Sequence, residues 1–333
     1  MTHTARIAIT MGDPAGIGPE IIVNAFHDEL SFCQPIVVGS ARFLDAIARQ
    51  MKIPVTVHTI TSPDQARFQA GVLDVLDLDN VSPELARGQA TAEGGKASVQ
   101  YIEAAVKLAL DQQVSAITTA PINKESIHKA GFFYPGHTEL LAKLCGAKTV
   151  ALMLAGENLR VVLATTHLPL NKVSEQITVD RVLTTIQLTH QWLQCHVTAA
   201  PKIAVTGLNP HCGDGGIFGG EEQSAIIPAL EAAQKKGIQV EGPFSADALF
   251  IRGQFDAYDA VIAMYHDQGM IPIKMDSKGT AVNITLGLPI LRTSVDHGTA
   301  YDIAGTGTAS PESLIIALKK AAELAQSSTV SAQ

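Results

Sequence analysis

Short β-rich runs alternate with amphipathic helical stretches along nearly the whole chain, and this rhythm most constrains what it can fold into. Arg6–Thr10 reads as a strand and Gly12-Asp13-Pro14-Ala15-Gly16 as a turn. A helix starts near Gly18-Pro19-Glu20, where Pro suits the first turn and Glu the positive end of the dipole. Strands are predicted at 35–39, 72–78, 116–119, 150–154, 161–164, 203–206 and 260–264. Helices are predicted at 41–50, 95–112, 179–193, 221–236 and 311–326. Alternation of this kind makes an α/β protein with a largely parallel sheet. At about 150 residues per domain, 333 residues suit two domains. No linker or repeat marks a boundary.

Composition narrows the classes further. Apolar residues make up 46% and charged residues 17%, enough to bury a sizeable core. The 24 Lys and Arg against 32 Asp and Glu leave a net charge of −8, which argues against a nucleic-acid-coating surface. No apolar window approaches the roughly 18 to 20 residues that span a bilayer, and no signal-peptide pattern opens the chain. Cys33, Cys145, Cys195 and Cys212 form no CxxC pair and read as reduced thiols, so a cytoplasmic protein is expected.

Ligands of open α/β sheets bind beyond the carboxyl ends of strands. Three predicted strand ends carry a histidine: His167 in Thr165-Thr166-His167, His211 in Asn209-Pro210-His211-Cys212-Gly213, and His266 in Tyr265-His266-Asp267-Gln268-Gly269. Three neutral imidazoles from separate strand ends could share a divalent metal, or each could be a hydrogen-bonded structural histidine. His3, His27, His58, His128, His190 and His196 read as structural. In Tyr134-Pro135-Gly136-His137-Thr138-Glu139, free N–H groups beside His137 and Thr138 suit a phosphate, although Thr138 could simply cap the following helix. Lys274, Asn283 and Arg292 each stand in an apolar run, where a buried anion partner is plausible. Gly12–Gly18 follows a strand and opens a helix, but Ile21 replaces the third glycine of the dinucleotide fingerprint. No P-loop, GxSxG elbow or CxxC metal site occurs.

Four motifs carry a family resemblance: Met11-Gly12-Asp13-Pro14-Ala15-Gly16-Ile17-Gly18-Pro19-Glu20, Pro135-Gly136-His137-Thr138-Glu139, Tyr265-His266-Asp267-Gln268-Gly269, and Asp296-His297-Gly298-Thr299-Ala300-Tyr301-Asp302-Ile303-Ala304-Gly305. Together they closely resemble the 4-hydroxythreonine-4-phosphate dehydrogenase family of vitamin B6 biosynthesis. The last motif is also similar to a loop of isopropylmalate and isocitrate dehydrogenases. That resemblance implies two α/β domains around a central cleft, not a Rossmann fold, with cofactor contacts from His297 and Asp302. We divide the chain at about residues 1–120 plus 285–333 and 121–284, with the active site expected in the cleft and at a dimer interface.

The resemblance further implies a divalent metal (Zn, Co or Mg) held by His167, His211 and His266, with ligands from both subunits of a homodimer. It implies substrate contacts from His137, Thr138, Lys274, Asn283 and Arg292. The implied reaction is NAD- or NADP-linked oxidation of 4-phosphooxy-L-threonine to 2-amino-3-oxo-4-(phosphooxy)butanoate, which decarboxylates to 3-amino-2-oxopropyl phosphate. Lys274, Asp247 and Asp267 are the candidates for taking the alcohol proton, and either Asp could instead hold the ammonium. Family relatives that oxidise 4-phosphorylated threonate or erythronate are the nearest alternative. A three-His zinc aldolase or phosphohydrolase is a further one, as is a non-catalytic binding protein. No nucleic-acid or membrane partner is expected.

Overall fold

The computed structural model describes residues 4–27, 30–251 and 253–330, so His3 lies outside the described residues. The strands run in chain order β1 (Arg6–Thr10), β2 (Gln34–Gly39), β3 (Thr56–Ile60), β4 (Val72–Asp77), β5 (Ala116–Thr119), β6 (Ala151–Ala155), β7 (Arg160–Leu163), β8 (Lys202–Thr206), β9 (Gln239–Phe244), β10 (Ala260–Ala263), β11 (Val282–Leu286) and β12 (Arg292–Ser294). They belong to two compact units. One holds the chain up to Lys148 together with Leu288–Val330, the other Thr149–Gly287.

In the first unit the strands lie in the order β3-β4-β2-β1-β5-β12, and every pair is parallel. This is not the 3-2-1-4-5-6 order of a Rossmann sheet. The sheet is apolar on both faces, as a parallel sheet must be: Ile7, Ile9, Val37, Val38 and Ile117 are all fully buried. Helix Gly18–Ala25 carries Pro19 in its first turn, as expected. Helix Ala92–Leu110 starts three residues before Gly95, because the Thr91 hydroxyl accepts the Gly94 N–H at 3.0 Å and caps a start that two glycines disguise.

The unit boundary falls at residue 148 rather than near 120. Helices Lys124–Lys129 and His137–Cys145 pack on Ala92–Leu110 and so belong with the first unit. The approach at Gly95 is very close: a Cβ there would sit 1.9 Å from the Ser126 carbonyl oxygen. The return at residue 288 lies close to the expected 285.

The second unit has the order β11-β6-β7-β10-β8-β9. Here the expectation of a largely parallel sheet fails in part. β7, β10, β8 and β9 are parallel, but β6 runs antiparallel to both β7 and β11. The cause is local, since β6 and β7 are joined by a tight turn closed by the Gly156 N–H on the Leu159 carbonyl at 2.9 Å. Val161, Leu163, Val261, Ala263 and Ile273 form its core. Among the described residues no helix is long and apolar enough to cross a membrane.

Candidate active site

In the first unit two motifs almost 300 residues apart in sequence are locked together. Asp13, fully buried, accepts the Ala15 N–H at 2.9 Å and the Tyr301 hydroxyl at 2.7 Å. Tyr301 in turn bonds the Ser126 hydroxyl at 2.8 Å, and burial pushes its phenol well above the ordinary value. Glu20, 1% exposed, accepts from Arg87, from the Gly305 N–H and, at 3.0 Å, from the Gly307 N–H. Ile17 N–H donates to the Thr299 carbonyl at 3.0 Å. The N–H groups of Asp13, Ala15, Gly16 and Ile17 are therefore all spent inside the protein. That is a physical reason beyond the missing glycine why this loop does not cradle a diphosphate.

The knot carries the two residues expected to touch the cofactor. His297 is half-buried, and its Nδ1 donates to the Gly298 carbonyl at 3.0 Å. Its Nε2 is buried without a partner, which leaves that nitrogen as an acceptor. Asp302 is exposed.

His137 is the first residue of helix His137–Cys145, whose N-cap is Gly136. Thr138 lies inside the first turn rather than capping it. His137 Nε2 is buried with no hydrogen-bond partner. Burial, and secondarily the Arg292 charge, hold its imidazole far below the ordinary histidine value, so it is neutral. Arg292, at the start of β12, is 3% exposed and donates from Nη2 and Nε to the Thr119 hydroxyl at 2.7 and 3.2 Å. Burial pulls its ionisation down to about 9, which leaves a desolvated cation at neutral pH. A neutral imidazole with an open nitrogen beside a buried guanidinium is an arrangement for an anion.

The second unit holds His167, His211, His266, Asp247, Asp267, Lys274 and Asn283. The His167 and His266 rings stand 5.6 Å apart between centroids. His266 Nδ1 is held by Asp267 Oδ1 at 2.8 Å, the kind of carboxylate support that metal-binding imidazoles commonly have. Among the described residues, however, no three His, Cys, Asp or Glu side chains come together as a ligand set, His211 included. The donor chemistry suits a divalent cation, but one chain brings together only two of the three expected imidazoles.

His211 lines a pocket of about 690 Å³ with Asn209, Asp247, Asp267, Gln268 and the apolar Leu208, Phe250, Ile271 and Met275. Asp247 is exposed in the short helix Ala246–Leu249, which Ser245 precedes as N-cap, so it does not cap that helix. The Ser245 hydroxyl bonds Asp247 and, with the His211 charge a smaller cause, holds its carboxyl below the usual range. Lys274 corrects the sequence reading: it is exposed on helix His266–Ser277 instead of buried in an apolar strand. Asn283, on β11, has a buried Oδ1 without a partner. Gln268 was missed. Its Nε2 donates to the Gly207 carbonyl at 2.7 Å and its Oε1 accepts from the Thr206 hydroxyl and the Met264 N–H at 2.8 and 2.6 Å, tying the ends of β8 and β10. A polar residue next to His266-Asp267 was the available signal.

The fold is a mixed α/β one in two compact units. The chain belongs to the family described as pyridoxal phosphate biosynthetic protein PdxA, whose model matches residues 31–321. It is 48% identical over 322 residues to the D-threonate 4-phosphate dehydrogenase of Cupriavidus necator, covering 96% of this chain and 97% of that one. It is equally 48% identical over 332 residues to the 4-hydroxythreonine-4-phosphate dehydrogenase of Trichlorobacter lovleyi, covering 97% and 98%. The solved 4-hydroxythreonine-4-phosphate dehydrogenase of Klebsiella pneumoniae superposes with a TM-score of 0.93 at 41% identity, over 98% of this chain and 99% of that one.

Proposed function

We propose that this protein oxidises the secondary alcohol of 4-phosphooxy-L-threonine with NAD or NADP in pyridoxal phosphate biosynthesis, in the cytoplasm. The observation that carries the reading is the buried Arg292 beside neutral His137, an anion site suited to a phosphate monoester. His137, Thr138 and Arg292 bind the phosphate, and Lys274 and Asn283 make further substrate contacts. Anchoring the phosphate fixes the reacting C–H bond, which is where orientation lowers the barrier. A bound nicotinamide would supply the acceptor for the carbinol hydride, and the hydroxyl proton would pass to a base. Lys274, Asp247 and Asp267 are the candidates for that base. His297 and Asp302 contact the cofactor. The resulting 3-oxo acid loses carbon dioxide to give 3-amino-2-oxopropyl phosphate.

His167, His211 and His266 would hold a divalent cation (Zn, Co or Mg). Such an ion supplies Lewis acidity that eases loss of the alcohol proton. Because one chain gathers only two of these imidazoles, we propose that the set is completed in a homodimer. In support, Leu168, Leu170, Ile217, Phe218, Ile271 and Met275, close in sequence to the three histidines, are apolar and exposed.

The second reading is oxidation of D-threonate 4-phosphate, favoured by the equal identity to a relative of that name. Formation of NAD(P)H with each substrate, with and without chelator, tests both. Chelator-sensitive turnover of the amino substrate is the expected result. Turnover of the threonate alone selects the second reading, and no cofactor reduction with either rejects both.

A further inference from the structure

His211 sits in an unusual backbone. From His211 to Gly216 six successive residues have positive φ: 52, 55, 76, 43, 67 and 104°. Three of them, His211, Cys212 and Asp214, are not glycine, and a left-handed turn carrying Cβ atoms persists only where its surroundings enforce it. Glu222 is placed to enforce it. Its side chain, on a residue 2% exposed, accepts the Leu208 and Asn209 N–H groups on Oε1, both at 2.8 Å. Oε2 accepts Asn209 Nδ2 at 3.0 Å. The carboxylate is seated inside the loop: a Cβ on Gly213 would lie 2.8 Å from Oε2, and one on Gly207 3.1 Å from Oε1. The turn is closed on either side by Cys212 N–H on Asn209 O at 3.1 Å and Phe218 N–H on Gly213 O at 3.0 Å. Leu208, Asn209, Pro210 and His211 form one wall of the 690 Å³ pocket.

We infer that Glu222 is a positioning residue, whose carboxylate fixes the left-handed turn and so sets where the His211 imidazole stands. This rests on the reading of His211 as a cation ligand. Glu222 touches no reacting atom; it acts through the backbone of Leu208 and Asn209. What matters in this role is the reach of the one oxygen that accepts both the Leu208 and the Asn209 N–H, not the negative charge.

That distinction supplies the test. Co2+ is titrated into the metal-stripped full chain, followed by calorimetry and by its visible absorption, for wild type, Glu222→Gln, Glu222→Asp, Glu222→Ala and His211→Ala. Circular dichroism at the titration temperature selects the folded variants, and the Asp variant carries the test if the Ala variant does not fold. The Gln variant keeps the oxygen that takes the two backbone N–H groups. Asn209 Nδ2, which loses Oε2, still donates to Glu221 Oε2 at 2.8 Å, so this variant is expected within about threefold of wild-type affinity. The shorter Asp and the Ala variant are expected to lose about 10- to 100-fold, with an altered cobalt spectrum, as when a support of a metal ligand is removed. Retention by Asp with loss by Gln would mean that charge is what counts, and overturns the inference. Wild-type affinity in Asp and Ala alongside loss in His211→Ala would overturn it too, leaving the ligand reading intact. Wild-type affinity in His211→Ala overturns the ligand reading itself.

Discussion

Replacing Glu20 by Ala should destabilise the first unit by an amount that can be worked from its contacts. The carboxylate is 1% exposed and serves three donors: Arg87 and the N–H groups of Gly305 and Gly307. Removing it strands a guanidinium whose side chain is only 15% exposed. Breaking one side of a buried ion pair costs about 3–5 kcal/mol. The unit has about 190 residues, and with an unfolding entropy of about 2.1 cal/mol/K per residue the Tm should fall by about 7–12 °C. Thermal unfolding followed by circular dichroism reads this directly. The double variant Glu20→Ala, Arg87→Met should be more stable than Glu20→Ala alone, because no unpaired charge remains. Because Glu20 also holds the segment 305–307 behind His297 and Asp302, Glu20→Ala should raise the KM for NAD(P) at a temperature where it is folded. A Tm loss under about 2 °C, or a double variant no better than the single, would refute the reasoning.

Three further outcomes follow from the same structure. Arg292→Met removes a desolvated cation together with its hydrogen bonds to the Thr119 hydroxyl. It should raise the KM for the phosphorylated substrate at least about tenfold, the worth of a charge-assisted hydrogen bond; an unchanged KM would remove Arg292 from the phosphate site. His137 takes up a proton far less readily folded than unfolded, so stability is intact above its unfolded value of 6.5 and is lost as pH falls below it. Its share is at most about 1.4 kcal/mol per pH unit, and His137→Asn should flatten the Tm profile between about pH 6.5 and 5; a profile as steep as wild type would count against a neutral His137. If the cation site is shared between subunits, mixing His167→Ala with His266→Ala chains should restore some activity, and no recovery despite subunit exchange would argue for a site within one chain.

Much of the fold was legible because helices and strands are periodic over neighbouring residues. The strand at Ala116–Thr119 and the helix after Gly18-Pro19-Glu20 can be read from a window of ten. Helix His266–Ser277 could not. Pro272 stands inside it, and Ile271 and Met275 are exposed along the pocket while Met270 and Ile273 are buried, so its apolar residues do not make the usual single stripe. Lys274 was misread with it. Strand Thr56–Ile60 lies at the edge of its sheet with one fully buried residue and lacks an apolar pattern to find.

By itself the sequence determined the α/β class, the family and the identity of the chemical groups, since motif residues keep their order and type whatever their surroundings. It also excluded a dinucleotide fingerprint at Gly12–Gly18. Only the tertiary structure decided what each group can do. It made Arg292 a buried cation and His137 a neutral imidazole, since desolvation is a property of everything packed around a residue. It joined Glu20 to Gly305, 285 positions away, and seated Glu222 beneath the turn that bears His211. It set the His167 and His266 rings 5.6 Å apart, with no cluster of three His, Cys, Asp or Glu side chains among the described residues. Contacts between segments distant along the chain are set by how the elements pack, and no local pattern of residues encodes them.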